Sequence, residues 1–385
     1  MATLTVYRLT FRGGFHLGAH GVNLEESAEH IPSDTLFAAL VDAALRTGAG
    51  AEDFSQPFRE GDPPFLLTSA FPFAGSVRFF PMPVPLDRWF GPETLRERSK
   101  DLKKVRFVSE ALFRRMLDGE RMDGWLFPED EQADPERGVA LQGGVFWLTV
   151  EEAQSLPDPM RIIDPATRRA IAPRALRYHR VFASGQVPRV TLDRMTSASS
   201  IFHAGRVSFS PGCGLWFGVC WRTSDAALQG LVLQALTVLA DDGLGGERTV
   251  GYGGFWWEDA GSLTLPDPAD GGLLWLLSRY HPRSAELPGA LTDSPGYTLT
   301  AVAGWLRSWQ GAAQRRQRLW LVAEGSLIRA VGSGPWGDLT DVRPRYRNPE
   351  GDLPHPIWRY GFALGAAAVA PDGSGISGPS DRQEV

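Results

Sequence analysis

The sequence predicts an α+β protein with more strand and loop than helix, and three observations support this fold class. Forty-three glycines and twenty-nine prolines among 385 residues imply many turns. Residues 3–45 have the pattern of a strand followed by a helix, which is the beginning of a split β-α-β unit. Between Asp225 and Trp257, a helix, a glycine-rich loop and a strand follow one another.

Composition limits the class of protein further. A hydrophobic fraction of 43% supports sizeable cores, and the length suffices for two or three domains. Two cysteines, Cys213 and Cys220, exclude a disulfide framework and are too few for a zinc cluster, so a reducing, cytoplasmic location is expected. The chain shows no signal-peptide pattern and no apolar run of membrane-spanning length, so no membrane association is expected.

The charge is acidic overall but unevenly distributed. A net charge of −6 argues weakly against nucleic acid as a partner. The basic residues are nearly all arginine and cluster at residues 96–106, 161–194 and 315–318, while acidic residues concentrate at 25–29 and 129–136. An acidic chain can still carry a basic groove, so this distribution leaves a nucleic-acid partner open.

The first elements along the chain are a strand and a helix. Apolar and polar residues alternate over residues 3–11, which predicts the strand. The helix is predicted to open at Pro32, which pre-sets φ, with Ser33 or Asp34 as the cap of its first turn. Short strands broken by prolines are predicted between residues 64 and 83.

The middle of the chain is predicted to contain segments of several kinds before the glycine-rich loop. They are a charged helical segment over Asp87 to Gly119, a polar and flexible excursion over Glu129 to Arg137, a strand over Val145 to Val150, a hairpin arm with one polar face around Val187 to Arg194, and a hairpin of Val207 to Phe209 with Leu215 to Trp221.

A second unit is predicted to begin near Gly271 and to consist mostly of strands. The predicted strands are Leu273 to Leu277, Ala301 to Trp305, Leu319 to Val322, Ser326 to Val331 as the hairpin partner of the one before it, and His355 to Leu364 as the last strand. The polar residues from about Pro371 onward are expected to be disordered.

The glycine-rich loop, Gly243 to Phe255, is the strongest candidate for a binding site. It holds six glycines in thirteen residues together with Arg248 and Tyr252. Glycines allow positive φ and bring backbone N–H groups close to a ligand, which suits a phosphate or a sugar, and Arg248 adds a planar set of donors. The Walker pattern is absent, and a dinucleotide loop would follow a strand rather than a helix. A long turn that only joins two elements is the alternative interpretation.

The aromatic and histidine residues give further candidates. Tyr252, flanked by glycines, is the best candidate for stacking on a base, whereas Trp256 and Trp257 are expected to be core. His16, close to Gly18, is expected to contact RNA, to act as a lone general base in ribonuclease chemistry, or to have a structural role. We expect no metal site and no cofactor, because no set of ligands or nucleotide motif has a useful spacing.

Five stretches in order along the chain resemble the RAMP proteins, the RNA-binding subunits of CRISPR effector complexes, and among them the fourth subunit of the type III-A (Csm) complex. The stretches are Thr10 to Gly18 with Ile31 to Leu40, Ser69 to Phe73 with Phe79 to Pro83, Val190 to Thr196, Gly243 to Phe255, and His355 to Leu364. The resemblance extends from Leu4 to about Val369.

This resemblance implies two ferredoxin-like (RRM-like) domains, at residues 1–262 and 263–370, with a thumb-like arm in an insertion at about 87–206 and a tail at 371–385. It also implies a non-catalytic subunit that holds the 5′ repeat-derived handle of the guide RNA. Such a subunit bridges the large polymerase-like Cas subunit to the backbone subunit that repeats along the guide.

Carried over to this sequence, the resemblance assigns three groups of RNA-binding residues. Gly245, Gly246, Arg248, Gly251, Tyr252 and Gly253 are implied to line the handle, His16, Gly18, Ser33 and Asp34 to lie near the same groove, and Arg189, Arg194 and Met195 to belong to the thumb. Two other functions stay open: a metal-independent endoribonuclease that processes the guide precursor through His16, and a protein-interaction scaffold without RNA contact.

Overall fold

The computed structural model describes residues 1–18, 27–48, 51–192, 199–292, 296–306, 314–346, 353 and 355–369. The α-helices in these residues are α1 (Ser33–Arg46), α2 (Ala51–Arg59), α3 (Pro92–Glu97), α4 (Ser99–Lys104), α5 (Glu110–Leu117), α6 (Val150–Ala153), α7 (Asp158–Arg161), α8 (Ala226–Asp242) and α9 (Leu287–Leu291). The strands are β1 (Ala2–Phe11), β2 (Phe65–Leu67), β3 (Phe71–Ala74), β4 (Val77–Pro81), β5 (Phe107–Ser109), β6 (Gly138–Leu141), β7 (Phe146–Thr149), β8 (Ile162–Asp164), β9 (Arg169–Ala170), β10 (Phe182–Leu192), β11 (Ser199–Phe209), β12 (Cys213–Trp221), β13 (Phe255–Leu265), β14 (Leu273–Leu276), β15 (Leu299–Val302), β16 (Trp305–Leu306), β17 (Gln314–Arg315), β18 (Leu319–Val322), β19 (Leu327–Arg329), β20 (Leu339–Asp341), β21 (Trp358–Tyr360) and β22 (Gly365–Ala368).

The main sheet has the order β13-β1-β12-β3-β4-β5-β7-β6, with β2 pairing with β12. Its first four strands and two helices form a split β-α-β unit twice over. Helix α1 follows β1 and leads towards β3, with β12 between these two strands, and α8 connects β12 to β13, with β1 between them. This is the ferredoxin-like arrangement, so the predicted α+β class and its ferredoxin-like architecture are confirmed.

Helix α8 shows why the sequence around the glycine-rich loop folds as it does. The Asp225 carboxylate caps its first turn and accepts hydrogen bonds from the N–H groups of Ala227 and Leu228 at 2.9 and 3.2 Å. Its buried positions, including Val232 and Leu239, recur at helical spacing and face the sheet. The helix ends at Gly243, whose φ is 83° and whose N–H donates to the Leu239 carbonyl. The predicted order of helix, loop and strand is therefore correct.

Helix α1 begins where the sequence predicts, but its cap differs. Its N-cap is Pro32, and no side chain caps the first turn. The expectation that Ser33 or Asp34 caps the helix is therefore wrong, because both side chains are fully buried and bond to other parts of the chain. At its far end α1 packs beside α8, where Arg46 forms an ion pair with Asp242.

The segment between β4 and the arm contributes three short strands to the main sheet. Strands β5, β7 and β6 extend the sheet beyond β4, and β5 pairs with β7 in parallel. The predicted helical segment 87–119 consists of α3, α4 and α5 and is interrupted by β5. The acidic stretch 129–137 has no helix or strand, and its Asp134 forms an ion pair with Arg174 at 2.7 Å. Of the residues predicted as an insertion, those of β5, β6 and β7 thus continue the ferredoxin-like sheet.

The arm is a two-stranded antiparallel hairpin of β10 and β11, as the alternation predicted. Its more exposed side carries apolar residues, since Val190 and Ile201 lie opposite each other and are 58% and 69% exposed. The prediction that β11 turns back onto β12 is wrong. Strand β12 instead pairs with β1, β2 and β3 in the middle of the main sheet, where its apolar side chains are buried.

The second unit is built from small sheets. Strand β14 is the centre of a three-stranded sheet in the order β19-β14-β22, and β15 pairs with β18, β16 with β17, and β20 with β21. The predicted hairpin of β18 with β19 is therefore wrong. The predicted last strand holds only β21, and β22 follows it. The only helix of this unit within the described residues is the short α9.

Aromatic residues join one face of the second unit to the core of the first. The Trp275 ring of β14 lies 4.9 Å from that of Phe113 on α5 and 5.4 Å from that of Trp89. On the other side of the main sheet, the Tyr360 hydroxyl accepts a hydrogen bond from the N–H of Leu67 at 3.0 Å. These contacts fix the position of the second unit against the first. The predicted tail, 371–385, lies outside the described residues.

None of the helices in the described ranges is long and apolar enough to cross a membrane.

Candidate nucleic-acid interface

The glycine-rich loop is fastened to the segment that follows β1. The N–H of Gly246 donates to the His16 carbonyl at 2.8 Å, and the N–H of Gly253 donates to the Gly14 carbonyl at 3.0 Å. At the base of the loop, the N–H of Leu244 donates to the Gly253 carbonyl at 2.9 Å. These bonds leave the loop as a short excursion with a fixed base.

Two glycines of the loop are required by this close packing. Gly245 has a φ of 97°, and a Cβ there would lie 2.3 Å from the His16 carbonyl oxygen. Gly253 has a φ of 81°, and a Cβ there would lie 2.2 Å from the Leu244 carbonyl oxygen. Gly251 differs, because its φ is also positive but the space around it is open. Among the glycines implied to bind RNA, Gly245 and Gly253 are thus required by the folding of the loop itself, whether or not RNA is bound.

The tip of the loop presents backbone donors. Glu247 lies in the left-handed region with a φ of 58°, and Arg248–Val250 form a turn of 3₁₀ helix. The N–H groups of Glu247, Arg248 and Thr249 have no backbone or side-chain acceptor in the described part of the chain. Successive N–H groups around such a left-handed residue form a concave nest for anions. Arg248 itself is exposed at this tip, as an RNA contact requires.

His16 connects the loop to the arm. The ring is only 4% exposed, and its Nδ1 donates to the Gly205 carbonyl of β11 at 2.8 Å, since a carbonyl can only accept. The backbone of Gly18, two residues on, forms an isolated bridge to Ser27. His16 therefore has a clear structural role, and only its Nε2 remains for an RNA contact or for proton transfer.

Tyr252 packs against the arm. Its ring is 8% exposed, and the guanidinium groups of Arg189 on β10 and Arg206 on β11 lie 5.2 and 5.7 Å from the ring centroid. These cation–π contacts hold the arm against the loop. They also leave little of the ring for stacking on a base. The expectation that Trp256 is core is wrong, because this residue is 61% exposed and stacks with Arg12.

Ser33 and Asp34 lie beneath the groove rather than in it. Both are fully buried at the start of α1. The Ser33 hydroxyl accepts from the N–H of Arg279 at 3.0 Å, and the Asp34 carboxylate accepts from Arg279 at 3.2 Å and from Arg359 at 2.8 Å. These two residues therefore position arginines of the second unit.

A cleft of about 1190 Å³ lies between the glycine-rich loop, the start of α1, the arm and the second unit. Five of the residues assigned from the sequence line it: His16, Gly18, Gly245, Gly246 and Arg248. Six that the structure describes do not: Ser33, Asp34, Arg189, Gly251, Tyr252 and Gly253. Arg194 and Met195 lie outside the described residues.

The cleft is strongly cationic. Among the described residues, its lining includes two glutamates, Glu29 and Glu247, and six arginines: Arg106, Arg206, Arg248, Arg279, Arg316 and Arg359. Five of these arginines were not assigned from the sequence. Arg359 lies inside the last motif of the resemblance, which is a signal that could have found it. Arg279 lies shortly after an apolar strand and outside all five motifs, so it carries no such signal.

Buried carboxylates hold the floor of the cleft. Glu324 lies 3.6 Å from Nε of Arg279 and 3.7 Å from Nε2 of His30, and accepts from the Ser69 hydroxyl at 2.5 Å. Burial alone would raise the pKa of the Glu324 carboxyl, but Arg279, His30 and Ser69 together hold this pKa below its usual value. Burial likewise opposes the charge of Arg279, while Asp34 and Glu324 keep its pKa above the ordinary value. Both groups are therefore ionised at neutral pH.

Comparison with known proteins shows which proteins the chain resembles. Residues 270–367 match the family model of the CRISPR Csm4 C-terminal domain. A Csm4 protein of Thermococcus onnurineus (strain NA1) is 23% identical over 352 residues, which cover 89% of this chain and 92% of that protein. A Csm4 protein of Mycobacterium tuberculosis is 24% identical over 347 residues, covering 89% and 93%. The chain is thus similar to Csm4 proteins over most of its length.

Solved structures share the fold of this Csm4-like chain. One is a Csm3–Csm4 subcomplex of the type III-A CRISPR-Cas interference complex, with a TM-score of 0.59, 14% identity and coverage of 94% of this chain and 98% of that one. Another is a Csm1–Csm4 cassette in complex with pppApA, with a TM-score of 0.53, 17% identity and coverage of 96% and 100%. The predicted resemblance to the fourth type III-A subunit is confirmed.

Proposed function

We propose that the chain is a non-catalytic subunit of a type III-A CRISPR ribonucleoprotein in antiviral defence. In this role it binds the 5′ repeat-derived handle of the guide RNA. It also bridges the large polymerase-like subunit to the backbone subunit that repeats along the guide. The similarity to Csm4 proteins over nearly the whole chain supports the assignment to this complex.

The cationic cleft is the observation that carries the RNA-binding part of the proposal. Six arginines and the N–H groups of the loop tip surround it, which are the donors that phosphates prefer. Its volume of about 1190 Å³ exceeds the range of roughly 300–1,000 Å³ typical of small-molecule pockets. An extended polyanion fits such a cleft better than a compact metabolite does.

The partner assignment is supported by the complexes in which the solved relatives were found. One relative was crystallised with Csm3 and another with Csm1. The present chain has the same fold and covers nearly the whole length of both relatives. We therefore propose that it makes the same two contacts. The guide RNA, the large subunit and the backbone subunit are accordingly the partners that we propose.

The test is to recover the tagged chain from its own cells and to sequence the RNA and proteins that come with it. We expect small RNAs that share one short 5′ sequence, together with a large subunit and a repeated backbone subunit. Arg248→Ala is expected to reduce RNA recovery while the proteins still assemble. Arg96→Ala is the matched control, because Arg96 is exposed, pairs with its neighbour Glu97 and lies outside the cleft. Protein partners without RNA in the unmodified complex would support the scaffold alternative instead.

The non-catalytic assignment needs a separate test. His16 is the residue on which the endoribonuclease alternative depends, and its Nδ1 is already engaged by the Gly205 carbonyl. We expect no cleavage of repeat RNA by the purified chain in the absence of metal ions. Cleavage that disappears in the His16→Gln variant would establish the alternative.

A further inference from the structure

The wall of the cleft contributed by the second unit carries an exposed tryptophan. Trp305 of β16 lines the cleft and is 47% exposed. It pairs across the β16–β17 ladder with Arg315, whose guanidinium carbon lies 4.8 Å from the centre of its ring. A guanidinium over one face of an indole leaves the other face for a second planar group, and nucleobases stack on such platforms.

The next arginine along the chain, Arg316, lacks a carboxylate partner. Its backbone N–H donates to the Gly304 carbonyl at 2.9 Å, and Nη2 of its side chain donates to the Trp305 carbonyl at 3.2 Å. Its Nε is buried without an acceptor among the residues that the structure describes, and no carboxylate there forms an ion pair with it. Arg279 and Arg359 differ, since both pair with Asp34.

The environment of Arg316 favours an anionic ligand. Burial, followed by the nearby charge of Arg359, lowers the pKa of Arg316 to about 10, and the charge of Asp34 offsets only part of this shift. The side chain is thus still charged at neutral pH but is held in place against an electrostatic cost. A phosphate close to the guanidinium group of Arg316 would offset this electrostatic cost.

We propose that Trp305 and Arg316 form a subsite for one nucleotide of single-stranded RNA, with the base on the indole and its phosphate on the guanidinium. This inference rests on the proposed function, because it assumes that the cleft binds RNA. It adds a base-stacking contact on the second unit, separate from the glycine-rich loop. The RNA would then touch both units at once.

Two variants and two matched controls test this subsite. The effector complex is purified, and its affinity for guide RNA that carries the handle is measured at several salt concentrations. Trp305→Ala is expected to weaken binding roughly 5-fold or more, as loss of one stacked base does, while Trp305→Phe retains most of the affinity. Trp256→Ala is the control, since Trp256 is also exposed and stacked with an arginine but lies on β13 outside the cleft.

Arg316→Gln is expected to reduce the slope of log K against log salt by about 0.7, the loss of one phosphate contact on a single strand. Arg318→Gln, two residues further and outside the cleft, is expected to leave the slope unchanged. Scanning the handle with abasic nucleotides identifies the stacked base. At that one position, Trp305→Ala is expected to cause no further loss.

The outcomes separate the subsite from the proposed function. If Trp305→Ala and Arg316→Gln bind like the unmodified complex while Arg248→Ala binds more weakly, the subsite is overturned and the proposed function stands. If the unmodified complex does not bind the handle, both fail. Thermal unfolding of each variant shows whether a loss of binding comes from a loss of the folded structure. Arg316→Lys provides a second variant that retains the positive charge.

Discussion

Replacing Asp34 by asparagine is expected to destabilise the protein more than any change of a surface carboxylate. Asp34 is fully buried and is shared by Arg279 and Arg359, whose side chains are 14% and 5% exposed. Arg279 keeps Glu324 as a partner in the variant, but Arg359 is left without a carboxylate in the described residues. Breaking a buried ion pair by removing one partner costs about 3–5 kcal/mol. Most of this cost is expected to come from Arg359.

Denaturation by urea, followed by fluorescence, measures the change in the free energy of unfolding. The matched control is Asp42→Asn on the same helix, where the carboxylate is half exposed and pairs with Arg46 four residues on. This exposed pair is worth about 0.3–0.5 kcal/mol. The double variant Asp34→Asn with Arg359→Met is expected to lose less than the two single changes together, because the charge left unpaired is gone. A cost for Asp34→Asn no larger than that of the control would refute this account of the buried pair.

Three further predictions follow from the same geometry. Glu324 has a lowered pKa, so its contribution to stability is present above its usual pKa of 4.5 and is lost as the pH falls below that value. The difference in unfolding free energy between the unmodified protein and Glu324→Gln should therefore shrink from pH 6 towards acid. Urea titration at each pH measures this difference. Gly245→Ala places a Cβ against a carbonyl oxygen and should lower the midpoint of thermal unfolding. The control is Gly251→Ala, where the φ is similar but the space is open, so its midpoint should fall clearly less. Equal midpoints would contradict the close packing of the loop. Tyr252→Leu removes two cation–π contacts of about 0.5–1 kcal/mol each and should make the arm more sensitive to limited proteolysis. An unchanged cleavage rate would show that other contacts hold the arm.

Local patterns in the sequence predicted the elements that depend on their own residues. Helix α8, the glycine-rich loop and β13 follow from a helical repeat, a run of glycines and an apolar run, and each forms where it was expected. The error at Trp256 was avoidable. Neighbouring residues on a strand point to opposite faces, so Trp256 and Trp257 could not both face the same core.

The site was only partly predictable, because its most important contacts join distant residues. Asp34 was assigned to the groove, yet it supports the groove from beneath through Arg279 and Arg359, which lie 245 and 325 residues further along the chain. No periodicity in a single sequence connects such residues. The pairing of β19 with β14 rather than with β18 has the same cause, since strand order is decided by the whole core.

The buried carboxylate of Asp34 also determines how ready the cleft is for a ligand. Arg279 and Arg359 belong to the second unit, but a carboxylate of the first unit fixes both. Their mutual repulsion is balanced and their rotamers are set when the protein folds. Immobilising a long side chain on binding costs about 0.5–1.5 kcal/mol, and a phosphate that arrives at these two arginines does not incur that loss. The floor of the cleft is thus preorganised. Any movement of one unit away from the other would open the cleft and break the contacts of both arginines with Asp34 at the same time.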